Sequence, residues 1–179
     1  MEIQRFVAGR RADGSSVVDA RGPVEPVVLR AMPGYEFFRV WGADGTPTVG
    51  TGSEAASFEP YFPAKPGDFR FVVVSWPPDG AAAAPEGDQA ELFAEVEQTF
   101  PGMLAAITPD AAGRHATDTV DLVVVLQGEL WLELEDGTET RLTPGSCAVQ
   151  RGSRHAWHNR GDQPALAAFV FLGAEPAAG

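Results

Sequence analysis

Three histidines and one aspartate stand out in this sequence, because imidazoles and carboxylates bind metal ions and move protons near neutral pH. The histidines are His115, His155 and His158. His155 and His158 are three residues apart, so on one strand their side chains point to opposite faces. Asp121 opens a very apolar segment, residues 121–126, where a buried carboxylate needs a partner. The elements around these residues decide which of them meet.

The region that contains these residues has the pattern of short strands joined by tight turns. Apolar runs separated by Gly, Pro and Asp predict strands over 120–126, 130–135, 138–142, 147–150, 155–159 and 165–172. Asp136-Gly137 is typical of a hairpin turn, because both residues accept a positive φ. Short strands at such regular spacing indicate a small all-β sandwich or barrel.

The N-terminal half contributes further strands. Strands are predicted over 27–29, 35–41 and 69–76, and the unbroken run Val72–Val74 indicates apolar contact on both faces of its strand. We expect this half to add strands to the same sheets.

A change to helical spacing predicts one amphipathic helix over residues 89–100. Asp88 has the position of an N-cap and Glu91 follows three residues later, as in a capping box. The apolar side of the helix is made by Leu92, Phe93, Val96 and Phe100. We expect this helix to lie on the barrel or to cap it.

Two strings of the C-terminal half resemble the motifs of the cupin superfamily. In HATDTVDLVVVLQG, His115 stands at the first histidine of the first motif, Thr117 at the second histidine and Asp121 at the glutamate. In GSCAVQRGSRHAWHN, His155 and Asn159 keep the H-x-x-x-N spacing of the second motif, although the string is one residue shorter than usual.

The resemblance, which covers about residues 111–173, implies a fold. This is an all-β cupin-type double-stranded β-helix, a jelly-roll barrel, with an N-terminal strand extension and one short α-helix. Residues 1–179 are then a single domain. Within it, 1–80 form the N-terminal β extension, 81–110 a loop and the helix, and 111–173 the cupin core.

The resemblance also implies a reactive centre inside the barrel. Metal-binding cupins use three histidines and a glutamate. This chain has two of the histidines, His115 and His155, and Asp121 in the place of the glutamate. Two histidines and one carboxylate suit a non-haem iron centre, and zinc, manganese or nickel are further candidates. Without a metal, His155 and Asp121 are an acid–base pair. Both alternatives stay open.

The expected ligand of this barrel is a small organic molecule. Trp157 shares the face of His155, and we expect it to bind the substrate together with Thr117, Trp131 and Asn159. Similar proteins often accompany natural-product pathways, so we expect a polyketide-like metabolite. The function predicted is that of a lyase, isomerase, cyclase or metal oxygenase. The alternative is a ligand-binding or sensing protein without metal or turnover.

The composition argues against two classes of binding partner. The net charge is −12 and Lys65 is the single lysine, so the sequence offers no basic stripe for nucleic acid or an anionic membrane. No signal peptide or apolar span is visible, and a cytoplasmic location is expected.

The single cysteine, Cys147, forms no disulfide within the chain, and we expect its thiol to be buried. We expect the apolar run Leu122–Leu126 to be covered on both faces, by a second sheet or by the second subunit of a homodimer.

Overall fold

The computed structural model of the chain describes residues 2–52, 58–81, 84–106 and 113–176. Its elements are strands β1 (Ile3–Arg10), β2 (Ser16–Val24), β3 (Glu36–Ala43) and β4 (Phe69–Trp76), helices α1 (Gln89–Thr99) and α2 (Met103–Ala106), and strands β5 (Thr119–Gln127), β6 (Leu130–Leu134), β7 (Glu139–Leu142), β8 (Cys147–Arg151), β9 (His155–His158) and β10 (Ala165–Gly173).

Two antiparallel sheets face each other and enclose the main core. The larger sheet has the strand order β3-β4-β10-β5-β8, and the smaller sheet has the order β7-β6-β9. The N-terminal strands β3 and β4 therefore extend the sheet of β10, β5 and β8, as the sequence predicted. This is the mostly β architecture expected, and β1 and β2 form a separate hairpin.

The strand predictions differ from the structure mainly near the N-terminus. The predicted strand over 27–29 is wrong, because only Val27 forms a bridge there, with Phe37. The hairpin of β1 and β2 was not predicted. Its strands alternate exposed and half-buried residues and include Gly22-Pro23, so their apolar pattern is weak.

Helix α1 begins where the sequence placed its cap. The Asp88 side chain accepts hydrogen bonds from the backbone N–H groups of Ala90 and Glu91, which completes the first turn. Leu92 and Val96 are buried, whereas Phe93 is 49% exposed and does not belong to the apolar side predicted for it. A second short helix, α2, follows the turn at Pro101-Gly102 and was not predicted.

The larger sheet buries apolar side chains on both faces of β4. Val72 and Val74 point into the main core, and Val73 packs with Phe38 and Leu166 on the outer face. The β1–β2 hairpin covers that outer cluster, with which Ile3 and Val24 are packed.

Strand β5 is covered on one face only within the described residues. Val123 and Val125 are buried inside the barrel, but Leu122, Val124 and Leu126 are between 37% and 46% exposed. No sheet formed by the described part of the chain covers them, and the homodimer stays a prediction. The Cys147 thiol, expected to be buried, is exposed. Among the described helices, none has the length and hydropathy to span a membrane.

Candidate functional site

A cavity of about 400 Å³ lies between the two sheets. This volume is within the range of small-molecule sites. Phe, Tyr and Trp are the most frequent residues in its wall, and its polar side chains include His115, His155 and Asp121. The cavity therefore has the composition of a site for an organic ligand, an apolar wall with a few polar groups.

His115 and His155 are joined by their main chains. Each backbone N–H donates to the carbonyl of the other residue, at 2.8 and 2.9 Å, and the two imidazole centroids are 4.6 Å apart. Burial and then the neighbouring His155 lower the pKa of His115 to about 4. Burial also lowers the pKa of His155. Both rings are therefore neutral near pH 7.

The tautomer of His155 follows from its hydrogen bond. Its Nδ1 lies 2.8 Å from the carbonyl oxygen of Ser153. A carbonyl oxygen only accepts, so Nδ1 carries the proton and Nε2 of the neutral ring keeps its lone pair. His155 is thus prepared to act as a base through Nε2.

Asp121 lies on β5, with its side chain on the cavity side of the larger sheet. It is 5% exposed, and Thr119 Oγ1 donates a hydrogen bond to its Oδ1 at 2.6 Å. Burial raises the pKa of Asp121 to about 6, although the Thr119 hydroxyl favours the ionised form. The carboxyl group therefore exchanges its proton close to neutral pH.

Trp157 lines the cavity, as the sequence predicted. Its ring meets that of His155 edge-on, with centroids 6.2 Å apart, and that of Phe169 at 5.7 Å. Because β9 and β10 belong to different sheets, Trp157 connects the two walls of the cavity next to the histidine pair.

The other residues predicted to bind substrate are not among those that line the cavity. Thr117 lines a separate depression and approaches Thr119 instead. Trp131 donates from Nε1 to Glu129 and lies under the Arg160 guanidinium, 4.8 Å from ring centroid to Cζ. Asn159 is fully buried, and its amide donates to the carbonyls of Trp76 and Gln163.

His158, which the sequence placed on the outer face, is half-buried and contributes to the cavity lining. Its Nε2 lies 2.9 Å from Glu133 Oε2, and its Nδ1 lies 3.4 Å from Asp79 Oδ2. Asp79 follows β4, so this contact ties the N-terminal part of the chain to the smaller sheet beside the cavity.

Much of the aromatic wall comes from residues that the sequence did not single out. Tyr35, Phe37, Tyr61, Phe62 and Trp76 all belong to the N-terminal half and line the cavity. The alternation of Tyr35 and Phe37 in a predicted strand is a signal that they share a face. Tyr61 and Phe62 lie in a proline-rich segment without periodicity, which gave no such signal.

The metal site that the resemblance implies stays a prediction. In residues 2–52, 58–81, 84–106 and 113–176, no three His, Cys, Asp or Glu residues are grouped as ligands of one metal ion. His115, His155 and Asp121 line one cavity.

Comparisons with known proteins agree on the C-terminal part of the chain. Residues 104–171 match the family model described as the cupin domain. Oryzines biosynthesis cluster protein J of Aspergillus oryzae is 46% identical over 63 residues, 35% of this chain and 35% of that protein. The cupin-domain-containing oxidoreductase virC of Hypocrea virens is 34% identical over 65 residues, 35% of this chain and 34% of that protein.

These matches span about a third of the length of the curated relatives. Among solved structures, the cupin domain of Schizosaccharomyces pombe Cnp3 is similar with a TM-score of 0.47 and 12% identity, over 96% of this chain and 87% of that chain. The motif residues His115, Asp121, His155 and Asn159 all lie inside the segment matched by the family model. The chain therefore contains a cupin domain over residues 104–171.

Proposed function

We propose that the chain is an enzyme of natural-product biosynthesis, which binds a small aromatic or polyketide-like molecule in the cavity and acts on it by acid–base chemistry. The observation that carries this proposal is the position of His155 and Asp121 in the wall of one aromatic cavity. The partial similarity to biosynthesis cluster proteins and to a cupin oxidoreductase supports the metabolic setting.

The two groups have complementary proton chemistry. Nε2 of the neutral His155 ring removes a proton from a carbon or hydroxyl group of the ligand. Asp121, in its protonated form, returns a proton to a second atom of the ligand. His155 then releases its proton to solvent and Asp121 takes one up, so both groups return to their starting forms. The ligand then has the same composition as before, which is an isomerisation or cyclisation, or it loses a leaving group that Asp121 protonates, which is an elimination.

The aromatic wall has its own part in this chemistry. Apolar rings around the polar groups exclude water from a bound ligand, and they strengthen electrostatic interactions inside the cavity. They also account for the pKa of Asp121, which burial brings to about 6, near the pH at which an acid–base catalyst is most effective.

The first test is binding of a defined probe, 2-naphthol, followed by saturation-transfer NMR. We expect Trp157→Leu to weaken binding by roughly tenfold or more, because it removes a ring contact inside the cavity. Trp131→Leu, the matched control outside the cavity lining, keeps wild-type binding. Equal binding by wild type and Trp157→Leu would show that the cavity is not the site.

The second test separates catalysis from sensing. Phenolic and polyketide-like acids are incubated with wild type, Asp121→Asn and His155→Gln, and products are followed by mass spectrometry. Turnover that disappears in both variants while the substrate still binds supports the acid–base proposal. Binding without turnover in wild type favours the non-catalytic alternative.

Elemental analysis of untagged protein tests whether the reaction is assisted by a metal ion. We expect no stoichiometric divalent metal, because the described side chains do not form a three-ligand centre. About one metal ion per chain, lost in His155→Ala, would replace acid–base chemistry by metal-assisted chemistry.

A further inference from the structure

One end of the cavity is formed by a carboxylate among aromatic rings. Asp79, in the turn after β4, lines the cavity together with Tyr35 and Trp76. The two rings meet edge-on, with centroids 5.9 Å apart. Burial and then the charge of Asp79 raise the pKa of Tyr35, so its phenol stays neutral near the carboxylate. Aromatic faces beside a negative charge are surroundings that suit an ammonium group.

The carboxylate of Asp79 is held in place by the main chain around it. The Asp79 backbone N–H donates to the Asn159 carbonyl at 2.7 Å, and the Asn159 N–H donates to Asp79 Oδ1 at 3.1 Å. Asp79 Oδ2 lies 3.4 Å from His158 Nδ1. An ionised carboxylate accepts about four hydrogen bonds, so these contacts orient Asp79 and leave it able to accept a donor from a ligand.

The described wall of the cavity has no fixed positive charge that balances Asp79. Among its lining residues in 2–52, 58–81, 84–106 and 113–176, none is an arginine or a lysine. The charge of Asp79 acts on Arg160, but that guanidinium is paired with Glu139 and lies over the ring of Trp131, outside the lining. The net charge of −12 also attracts cations and repels anions. The cavity therefore favours a cationic ligand over an anionic one.

A continuous row of rings leads from the Asp79 end of the cavity to the histidine pair. Trp76 packs on Phe169 with ring centroids 5.3 Å apart, and Phe169 meets Trp157 at 5.7 Å. Trp157 in turn meets His155 at 6.2 Å. All of these rings line the cavity. An apolar molecule that lies along this row has one end beside Asp79 and the other end beside His155.

We propose that the molecule bound in this cavity is a primary amine with an aromatic body, whose ammonium group binds Asp79 beside the rings of Tyr35 and Trp76. This inference rests on the proposed function and names the class of its substrate. The ammonium donates to the carboxylate, and the apolar body extends along the row of rings toward His155. A carboxylic acid of similar shape binds more weakly, because it brings a like charge to Asp79.

The experiment compares three ligands that share a naphthylmethyl group and differ in charge. At about pH 7.5, 2-naphthylmethylamine is a cation, 2-naphthylmethanol is neutral and 2-naphthylacetic acid is an anion. Isothermal titration calorimetry gives the Kd of each. We expect wild type to bind the amine roughly tenfold more tightly than the alcohol, and the acid roughly tenfold more weakly than the alcohol.

Asp79→Asn is the decisive variant, because its side-chain oxygen still accepts from the Asn159 N–H whereas the charge is removed. We expect this variant to lose the preference for the amine and to keep its affinity for the alcohol. Glu133→Gln is the matched control. Glu133 contacts His158 Nε2, so this variant removes a charge from the other side of the same imidazole, outside the cavity lining, and keeps the preference.

A second variant covers the case in which Asp79→Asn does not fold. Tyr35→Leu removes one ring beside the ammonium, and we expect it to weaken binding of the amine more than binding of the alcohol. An equal loss for both ligands in Tyr35→Leu would assign that ring to the apolar body alone and would contradict the ammonium site.

The outcomes separate this inference from the proposed function. Equal affinities of wild type for the amine and the alcohol overturn the ammonium site, but binding of the alcohol still supports the cavity as the ligand site. A preference lost equally in Asp79→Asn and Glu133→Gln would reflect net charge alone and also overturns it. If none of the three ligands binds, the cavity is not the site, and the proposed function fails together with this inference.

Discussion

The main chains of His115 and His155 hydrogen-bond each other in both directions, and this bridge holds their imidazole centroids 4.6 Å apart. Protonation of one ring would place a charge beside the other in a buried wall. The pKa of His115 is lowered to about 4 by burial and by this neighbour, so the pair stays neutral at the pH where Asp121 exchanges its proton.

The histidine pair makes a prediction for proton NMR, which resolves three imidazoles in this chain. We expect His115 to titrate near pH 4, and His155→Leu to raise the pKa of His115 because the charge repulsion is removed. His158→Gln is the matched control and leaves the pKa of His115 in place. A wild-type His115 that titrates near 6.5 contradicts this account.

The buried carboxyl group of Asp121 makes stability depend on pH. Folding raises the pKa of this carboxyl group from 3.8 to about 6. Its stabilising contribution to the free energy of unfolding is therefore fully present below pH 3.8 and is lost as the pH rises through about 6. The shift corresponds to roughly 3 kcal/mol. Wild type loses this stability between about pH 4 and pH 8, whereas Asp121→Asn has no carboxyl group to ionise. We therefore expect the free energy of unfolding of Asp121→Asn, relative to that of wild type, to rise by this amount over the same range.

Urea unfolding at the two pH values measures this gain, with the exposed neighbour variant Asp118→Asn as the matched control. A free-energy difference between Asp121→Asn and wild type that is the same at both pH values would show that the carboxyl is not buried in solution.

Asn159 is predicted to hold the end of β4 against the loop that leads to β10. Its Nδ2 donates to the carbonyls of Trp76 and Gln163 at 3.0 and 2.9 Å, and its Oδ1 accepts from the Gly161 N–H at 3.0 Å. Asn159→Leu leaves these groups without their partner and should lower the free energy of unfolding by roughly 3 kcal/mol. In Gln163→Leu the carbonyl remains, so this control keeps wild-type stability in thermal unfolding. A small effect of Asn159→Leu would contradict the structural role.

The exposed face of β5 carries the prediction of a homodimer. We expect light scattering to give twice the chain mass of 19.0 kDa for wild type, and Val124→Glu to give the monomer, because it places a charge in an apolar contact. Val28→Glu introduces the same charge at an exposed valine outside β5 and leaves the dimer intact. A monomeric wild type would show that water, not a second subunit, covers this face.

The position of one part of the cavity wall was predictable, because the direction of a side chain on a strand depends on the local sequence alone. Asp121, His155 and Trp157 all line the cavity, as motif spacing and the two-residue period indicated. Trp131 was assigned to the site for its residue type, against its own alternation with Leu130. In the structure Trp131 is paired with His158, and it is Leu132 that pairs with Trp157.

The aromatic wall was not predictable, because it depends on pairing between distant parts of the chain. Phe37 and Trp76 reach the cavity only because β3 joins β4 and β4 joins β10. Nothing in the local sequence selects these partners among the other apolar strands. Thr117 lines a separate depression, which its alignment with a metal-binding histidine did not indicate.

Strand β10 lies between β4 and β5, and it hydrogen-bonds both along most of its length. The segment matched by the cupin model begins at residue 104 and thus excludes β3 and β4. A chain cut at that boundary would expose an open edge of β10 and lose one flank of its hydrophobic interior. The segment that matches the family model is therefore shorter than the unit that folds. A chimera that exchanges this domain between relatives must include β3 and β4.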